Sequence, residues 1–296
     1  MRVSIDLSNH ALDADPRRFG DVLATIGKAA DGVGLHTVWL PDHVVQADPT
    51  AGADRDVFEA YTALGFLARA TRRVRLGTMV SAVTYRPIAL LIKAVTTLDV
   101  LSGGRAWLGL GAGYLEQEAT TMGMPLPPTG ERFDDLEDSL ELAGRMWSGD
   151  ESKFQGRHTA LDAPELHPRP LSSPHPPILI GGSGEKRTLR LVARYAQAAN
   201  LFDIPDGGQT IARKIAVLEQ HCHEVGRDPN EIERTLSTRQ GPDQSVADFV
   251  EHCRDVAQLG IDHVILHSGP AWSPESVRDC AAIVDALADV TRRPSD

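Results

Sequence analysis

Cysteine is scarce, with three residues, Cys222, Cys253 and Cys280, among 296. An odd number without Cys-x-x-Cys spacing frames neither a disulfide scaffold nor a dithiol redox pair, so a reducing, cytoplasmic setting is expected. Long apolar runs are missing too. No stretch reaches the length of a membrane span, and Met1-Arg2-Val3-Ser4-Ile5-Asp6-Leu7 alternates like a strand where a secretory leader would be uniformly apolar. Positive charge is in deficit: 30 Lys and Arg against 41 Asp and Glu give a net charge of −11. That removes the basic face needed for sequence-independent nucleic-acid binding. Three signatures are also absent. There is no Gly-x-Gly-x-x-Gly fingerprint, no P-loop Gly-Lys-Ser/Thr and no Gly-x-Ser-x-Gly elbow, which argues against a dinucleotide-type dehydrogenase, a nucleotide hydrolase and a serine hydrolase of the usual designs.

What is present is a repeated alternation. A hydrophobic content of 42% supplies ample core, and short apolar runs at 3–7, 37–40, 74–79, 106–111, 178–181, 198–202, 235–239 and 263–267 read as strands. Helical periodicity follows each, over 17–33, 57–71, 88–101, 134–147, 185–195, 209–225, 246–259 and 274–291. Gly34, Gly226 and Gly260 sit where left-handed caps are wanted, and Ser273-Pro274 opens the last helix. Eight β-α units over 1–296 point to one α/β domain, a closed (β/α)8 TIM barrel, with an open doubly wound sheet as the alternative. The long segments at 41–56 and 114–133 follow strands and are therefore placed to wall a site at the C-terminal face. The proline-rich run at 149–177 precedes a strand and reads as a stiff connector lying lower down.

Within this frame, Ser102-Gly103-Gly104-Arg105 reads as a helix-to-strand turn, whereas Gly109-Leu110-Gly111-Ala112-Gly113 ends a buried strand where backbone can approach a planar ligand. The second strand ends in Asp42-His43. Position alone leaves two readings of that pair: a turn cap beside a packed ring, or an acid–base group poised near neutral pH. Gly77-Thr78-Met79-Val80-Ser81 has the small and β-branched residues of a bulge. Gly181-Gly182-Ser183-Gly184 runs into a helix and has two readings: an ordinary flexible turn, or, favoured by three glycines in four residues, a site where N–H groups converge on an anion and Lys186 and Arg187 could add charge. The His221-Cys222-His223 and His252-Cys253 runs place neighbours about 100° apart on a helix and do not converge on a metal ion; no metal is expected.

Taken together, VWLPDH at 38–43, LGTMVSAVTYR at 76–86, TTLDVLSGGRAWLGLGAGY at 96–114, PPTGERFDDLEDSLEL at 127–142 and PPILIGGSGEKRTLRLVARYAQAANLF at 176–202 resemble the luciferase-like monooxygenase superfamily over most of the chain. TGERFDDLEDSLE and GGSGEKRTLRLVARYA most resemble its branch that uses the deazaflavin coenzyme F420 rather than flavin mononucleotide (FMN). The resemblance implies a (β/α)8 barrel with insertions at the C-terminal face and the cofactor at that mouth. It implies that Thr78, Met79 and Val80 back the deazaflavin ring, with a non-prolyl cis peptide between Met79 and Val80. Asp42 and His43 match positions near the reactive face, Gly111, Ala112 and Gly113 the turn beside it, Glu118 an acidic position at the rim, and Gly181, Gly182, Ser183 and Gly184 the phosphate loop. The implied activity is hydride transfer with a small organic substrate, with His43 exchanging the proton and Asp42 orienting it or touching the cofactor.

The chain departs from the pattern in three places. Arg86-Pro87-Ile88 replaces the more usual Arg-His-Pro or Arg-Asn-Pro, the segment at 237–245 is compact, and Gln197-Ala198-Ala199-Asn200 replaces Asp-Ala-Trp-Asn, removing an aromatic in a way expected to open the pocket. The rival readings are an FMN-dependent monooxygenase, a deazaflavin-binding protein without turnover, and an unrelated barrel lyase or hydrolase acting on a phosphorylated substrate. Phe58, Phe66, Leu90 and Leu91 serve either the core or the face of a homodimer.

Overall fold

Parallel strands cannot be joined by tight turns, so every apolar run here must be followed by a crossover, and a helix is the economical one. The computed structural model describes residues 1–8, 15–47 and 56–292; the expected loop at 41–56 therefore lies partly outside the described residues. The strands are β1 (Arg2–Asp6), β2 (Thr37–Leu40), β3 (Arg75–Thr78), β4 (Ser81–Ala82), β5 (Leu108–Gly111), β6 (Phe154–Gln155), β7 (Ala160–Leu161), β8 (Ile178–Ile180), β9 (Ala198–Phe202), β10 (Glu233–Thr238) and β11 (His263–His267). The helices are α1 (Phe19–Val33), α2 (Ala60–Ala70), α3 (Ile88–Ser102), α4 (Glu116–Met122), α5 (Thr129–Ser148), α6 (Thr188–Tyr195), α7 (Gln209–Val225), α8 (Val246–Gln258), α9 (Pro274–Asp279) and α10 (Ala281–Leu287). Among the described residues no helix is long and apolar enough to cross a membrane.

The main sheet runs β3-β2-β1-β11-β10-β9-β8-β5-β4, with parallel pairing. β3 and β4 are two halves of one strand, interrupted at the cis peptide Met79–Val80. The bonds Leu76 N to Arg105 O (2.9 Å) and Trp107 N to Leu76 O (2.8 Å) close the ring on the β3 side. The result is the (β/α)8 barrel. Its apolar core has two layers. The larger fills the space between strands and helices, while Trp39, Trp107, Leu179, Ala198 and Ile265 plug the barrel itself. The two indoles lie 5.6 Å apart, and Gly77 makes room for them: a Cβ there would stand 2.7 Å from Trp107 Cβ and 2.8 Å from Trp39 Cζ3.

Several boundaries move for identifiable reasons. α2 starts at Ala60 because the Glu59 carboxylate caps the N–H groups of Tyr61 and Thr62. α5 starts at Thr129, earlier than its periodicity predicts, directly after Pro127-Pro128. The final helix divides at Cys280 into α9 and α10. The 149–177 connector carries the β6–β7 hairpin and is tethered by buried Asp99, whose Oδ2 accepts from Leu171 N at 2.7 Å and Ser172 N at 2.9 Å. Phe58 and Leu91 join the core, whereas Phe66 and Leu90 stand 45% and 56% exposed.

At the N-terminal end of the barrel, His263 bridges Ser4 Oγ (2.5 Å) and Glu233 Oε1 (2.7 Å), with His36 packed edge-on against it at 5.0 Å. Burial, reinforced by His263, depresses His36 to about 3. Burial opposes the charge of Glu233, but its hydrogen bond from His263 overrides this and lowers it to about 2. Both folded values lie below the unfolded ones of 6.5 and 4.5. The unfolded chain therefore takes up protons that the fold refuses, and stability is lost as pH falls below about 6.5 and more steeply below about 4.5. Thermal melts from neutral to mildly acid pH should show Tm falling over that range, with the first part flattened in His36→Gln. An acid-insensitive Tm would refute the account.

Candidate functional site

The ring order divides the barrel mouth into two arcs. β5 and β8 are neighbours and bring the glycine turns, while β1 and β11 face them across the ring and bring Asp6 and His267. Between the arcs lies a cavity of about 630 Å³. Met79 and Val80 rise into it from the tryptophan plug below.

The glycine arc is shaped by this bulge. A Cβ on Gly109 would lie 1.8 Å from Thr78 O, one on Gly111 2.8 Å from Val80 Cγ2, and one on Gly181 2.7 Å from the same methyl. The bare strands expected to admit a ligand thus first admit Val80, which then presents its surface to the cavity. Thr78 does not line the cavity: it is fully buried, and its hydroxyl bonds Ser81 Oγ (3.0 Å) and Gly109 O (3.2 Å), tying the bulge down. Gly111, Ala112, Gly113, Gly181, Gly182, Ser183 and Gly184 all line it. The turn from 181 to 184 passes through the left-handed region at Gly182 (φ 94°). The N–H groups of Gly182, Ser183, Gly184 and Glu185 donate to no acceptor among the described residues. Lys186 is exposed beside them, but Arg187 is turned away onto Gly130 O (3.1 Å), Asp134 (2.5 Å) and the Phe133 ring.

On the other side of the bulge, His43 reaches the cavity from the end of β2. Its Nδ1 meets Glu118 Oε2 at 2.7 Å and the Tyr85 hydroxyl at 3.2 Å. Tyr85 also donates to the same carboxylate oxygen, and Val44 N donates to Oε1 at 2.6 Å. Glu118 comes from α4 and is completely buried, not at the rim. Burial works to raise its carboxyl, but the hydrogen bonds from Tyr85, His43 and Val44 outweigh that and hold it below its ordinary range. The same burial and carboxylate raise the Tyr85 phenol, so Tyr85 stays protonated and donating.

Asp42 is not the partner of His43. It is 2% exposed and gripped by Arg86 through two contacts, 2.5 Å to Oδ2 and 2.9 Å to Oδ1, with Arg86 also 2.6 Å from Glu59. Burial holds the Asp42 carboxyl above the ordinary range against the pull of Arg86. Asp42 therefore fixes the Arg86-Pro87 turn that opens α3, and the expectation that it orients the imidazole is corrected in favour of Glu118.

Residues overlooked in the sequence complete the polar arc: Tyr85, Tyr114, Asn200, Ser237 and His267. The last three had a readable signal, since each sits at or near the C-terminal end of a barrel strand. Asn200 faces the cavity, but its neighbour Ala199 packs in the outer core. The missing aromatic at Ala199 consequently leaves the pocket unchanged, because alternation along β9 turns that side chain away.

A family model described as luciferase-like monooxygenase matches residues 10–240. An F420-dependent glucose-6-phosphate dehydrogenase of Kineococcus radiotolerans is 30% identical over 81% of this chain and 69% of its own. An F420-dependent hydroxymycolic acid dehydrogenase of Mycobacterium tuberculosis is 31% identical over 72% of this chain and 56% of its own. Among solved structures, an F420-dependent secondary alcohol dehydrogenase in complex with an F420-acetone adduct superposes with a TM-score of 0.82 at 17% identity, covering 97% of this chain and 99% of that one. With the family model spanning most of the described barrel, this chain belongs to the luciferase-like monooxygenase family.

Proposed function

We infer that the protein is a coenzyme F420-dependent oxidoreductase acting on a small organic molecule. The observation that carries this reading is the pairing, across one cavity, of an anion-ready glycine loop with a carboxylate-supported imidazole. The residues present suit the coenzyme. The free N–H groups of Gly182 to Glu185 at the approach to α6 fit a phosphate. Val80 with Gly111, Ala112 and Gly113 offers a flat, weakly polar wall for a ring, and the relatives named for F420 point the same way.

When bound, F420 supplies two-electron chemistry by giving or taking a hydride. The protein's own part is the proton. Glu118 fixes Nδ1 of His43 in its donating form and leaves Nε2 to exchange a proton with the bound substrate. Tyr85 steadies the Glu118 carboxylate from a second side. The reading also pairs two copies through the exposed side chains Phe66 and Leu90 of α2 and α3.

Fluorescence titration with F420 and, separately, FMN tests the coenzyme. The expected result is micromolar or tighter affinity for F420 and affinity for FMN weaker by at least about tenfold, roughly 1.4 kcal/mol. Preference for FMN would transfer the site to oxygen chemistry, and binding of neither would refute the reading.

A further inference from the structure

A second hollow, of about 920 Å³, opens on the same face, between the segment after β9, the segment after β10 and the inner side of α8. Its volume falls within the range of small-molecule sites. Its wall is mainly apolar. Phe202 and Ile204 stand 50% and 44% exposed, with Ile211, Val256 and Leu259 beside them. Large apolar side chains that face solvent from a concave wall gain burial when a ligand covers them.

One of the two acids on this wall, Asp203, is already satisfied. Asp203 Oδ2 accepts from Thr238 Oγ1 at 2.6 Å and meets His252 Nε2 at 2.7 Å. Although burial opposes the charge of Asp203, these bonds hold its carboxyl low, and they raise His252 in turn. The hollow adjoins the central cavity, and Phe202, Ser237 and His267 line both. At this seam His267 Nε2 is buried and has no hydrogen-bond partner among the described residues.

The charge of the hollow's own lining narrows the ligand further. It carries the carboxylate of Asp255 and that of Asp203, which is paired with His252, and among the described residues its only guanidinium or ammonium is that of Arg239, which is exposed. A phosphorylated or carboxylated molecule would find there one solvent-screened guanidinium beside two carboxylates. A neutral molecule with an apolar body meets no such opposition, and its polar group would find a hydroxyl and an orphaned imidazole nitrogen at the seam.

We propose that the side hollow is the substrate site and that it takes an uncharged organic molecule whose apolar body lies in the hollow and whose polar group passes Ser237 and His267 into the central cavity that His43 lines. The proposal rests on the coenzyme reading of the central cavity and departs from the phosphorylated sugar in the name of one relative.

Saturation-transfer NMR on the F420-loaded protein, with menthol as the neutral probe and glucose-6-phosphate as the anionic one, tests it. Menthol is expected to bind and glucose-6-phosphate not to. Ile204→Glu, and independently Pro205→Glu, should weaken menthol at least about tenfold while the F420 titration stays within about twofold; both positions are exposed, so the fold tolerates the change. Menthol binding unaltered by both variants, tighter binding of glucose-6-phosphate, no menthol binding, or displacement of menthol by F420 would each overturn the assignment. F420 failing to bind the wild type is a separate outcome that overturns the coenzyme reading. The two glutamate variants then test the hollow on the coenzyme-free protein.

Discussion

His43→Ala lowers kcat on the order of 100- to 10,000-fold, the range lost when a positioned acid–base group is removed, which corresponds to about 2.7 to 5.4 kcal/mol of transition-state stabilisation. The affinity for F420 should change by less than about threefold, an energetically small amount. In the proposed reading the coenzyme's wall is made by the bulge and the glycine turns, and His43 is one residue among many that line the cavity. Glu118→Gln should give a smaller loss, because the amide keeps the volume and can still accept from His43 Nδ1 but no longer stabilises an imidazolium. Turnover of His43→Ala at the wild-type rate, with any substrate that supports activity, would end the assignment.

The second large effect is structural. Gly109→Ala forces a methyl group to within 1.8 Å of the Thr78 carbonyl oxygen, a distance that only backbone movement relieves. A cost of about 3 kcal/mol or more is expected, read as a fall in Tm of at least about 6 °C. Thr78 cannot step aside, because it is fully buried and its hydroxyl bonds the carbonyl of Gly109 itself. The control is Gly144→Ala. This glycine lies exposed within α5 with nothing within 4 Å of its Cβ position, so alanine should stabilise by about 0.5 to 1 kcal/mol through helix propensity. Equal melting temperatures for the two variants would show that the bulge yields, and the packing account of the glycines would be wrong.

These expectations mark where the sequence is transparent and where it is opaque. Strand–helix alternation is local, and the barrel was legible from it. So was the cavity's position, because strand C-termini in such a barrel all open on one face. His43 was legible as a titratable group at such an end, but its partner was not. Glu118 stands 75 residues away in sequence, while Asp42 is adjacent and pairs with an arginine 44 residues on. Proximity along the chain favoured the wrong acid. The glycines of β5 were legible as sites of close approach, yet what approaches them is the neighbouring bulge, through the Thr78 carbonyl at Gly109 and Val80 at Gly111, and long-range packing leaves no local trace. Ala199 shows the same limit in a milder form: the missing aromatic was visible, and the face it would occupy required the phase of the strand.

The glycine arc and the hollow beside it answer to different masters. Gly109, Gly111 and Gly181 are held by the bulge they enclose, so almost any change there is a change to the scaffold. Phe202, Ile204 and Arg239, at the ends of β9 and β10, stand exposed. On the proposed assignment of the two sites, a lineage built on this plan can therefore revise what it consumes by drift in two loops while its coenzyme half stays frozen, and chains that share the barrel and the glycine turns can diverge in diet without passing through an unfolded ancestor.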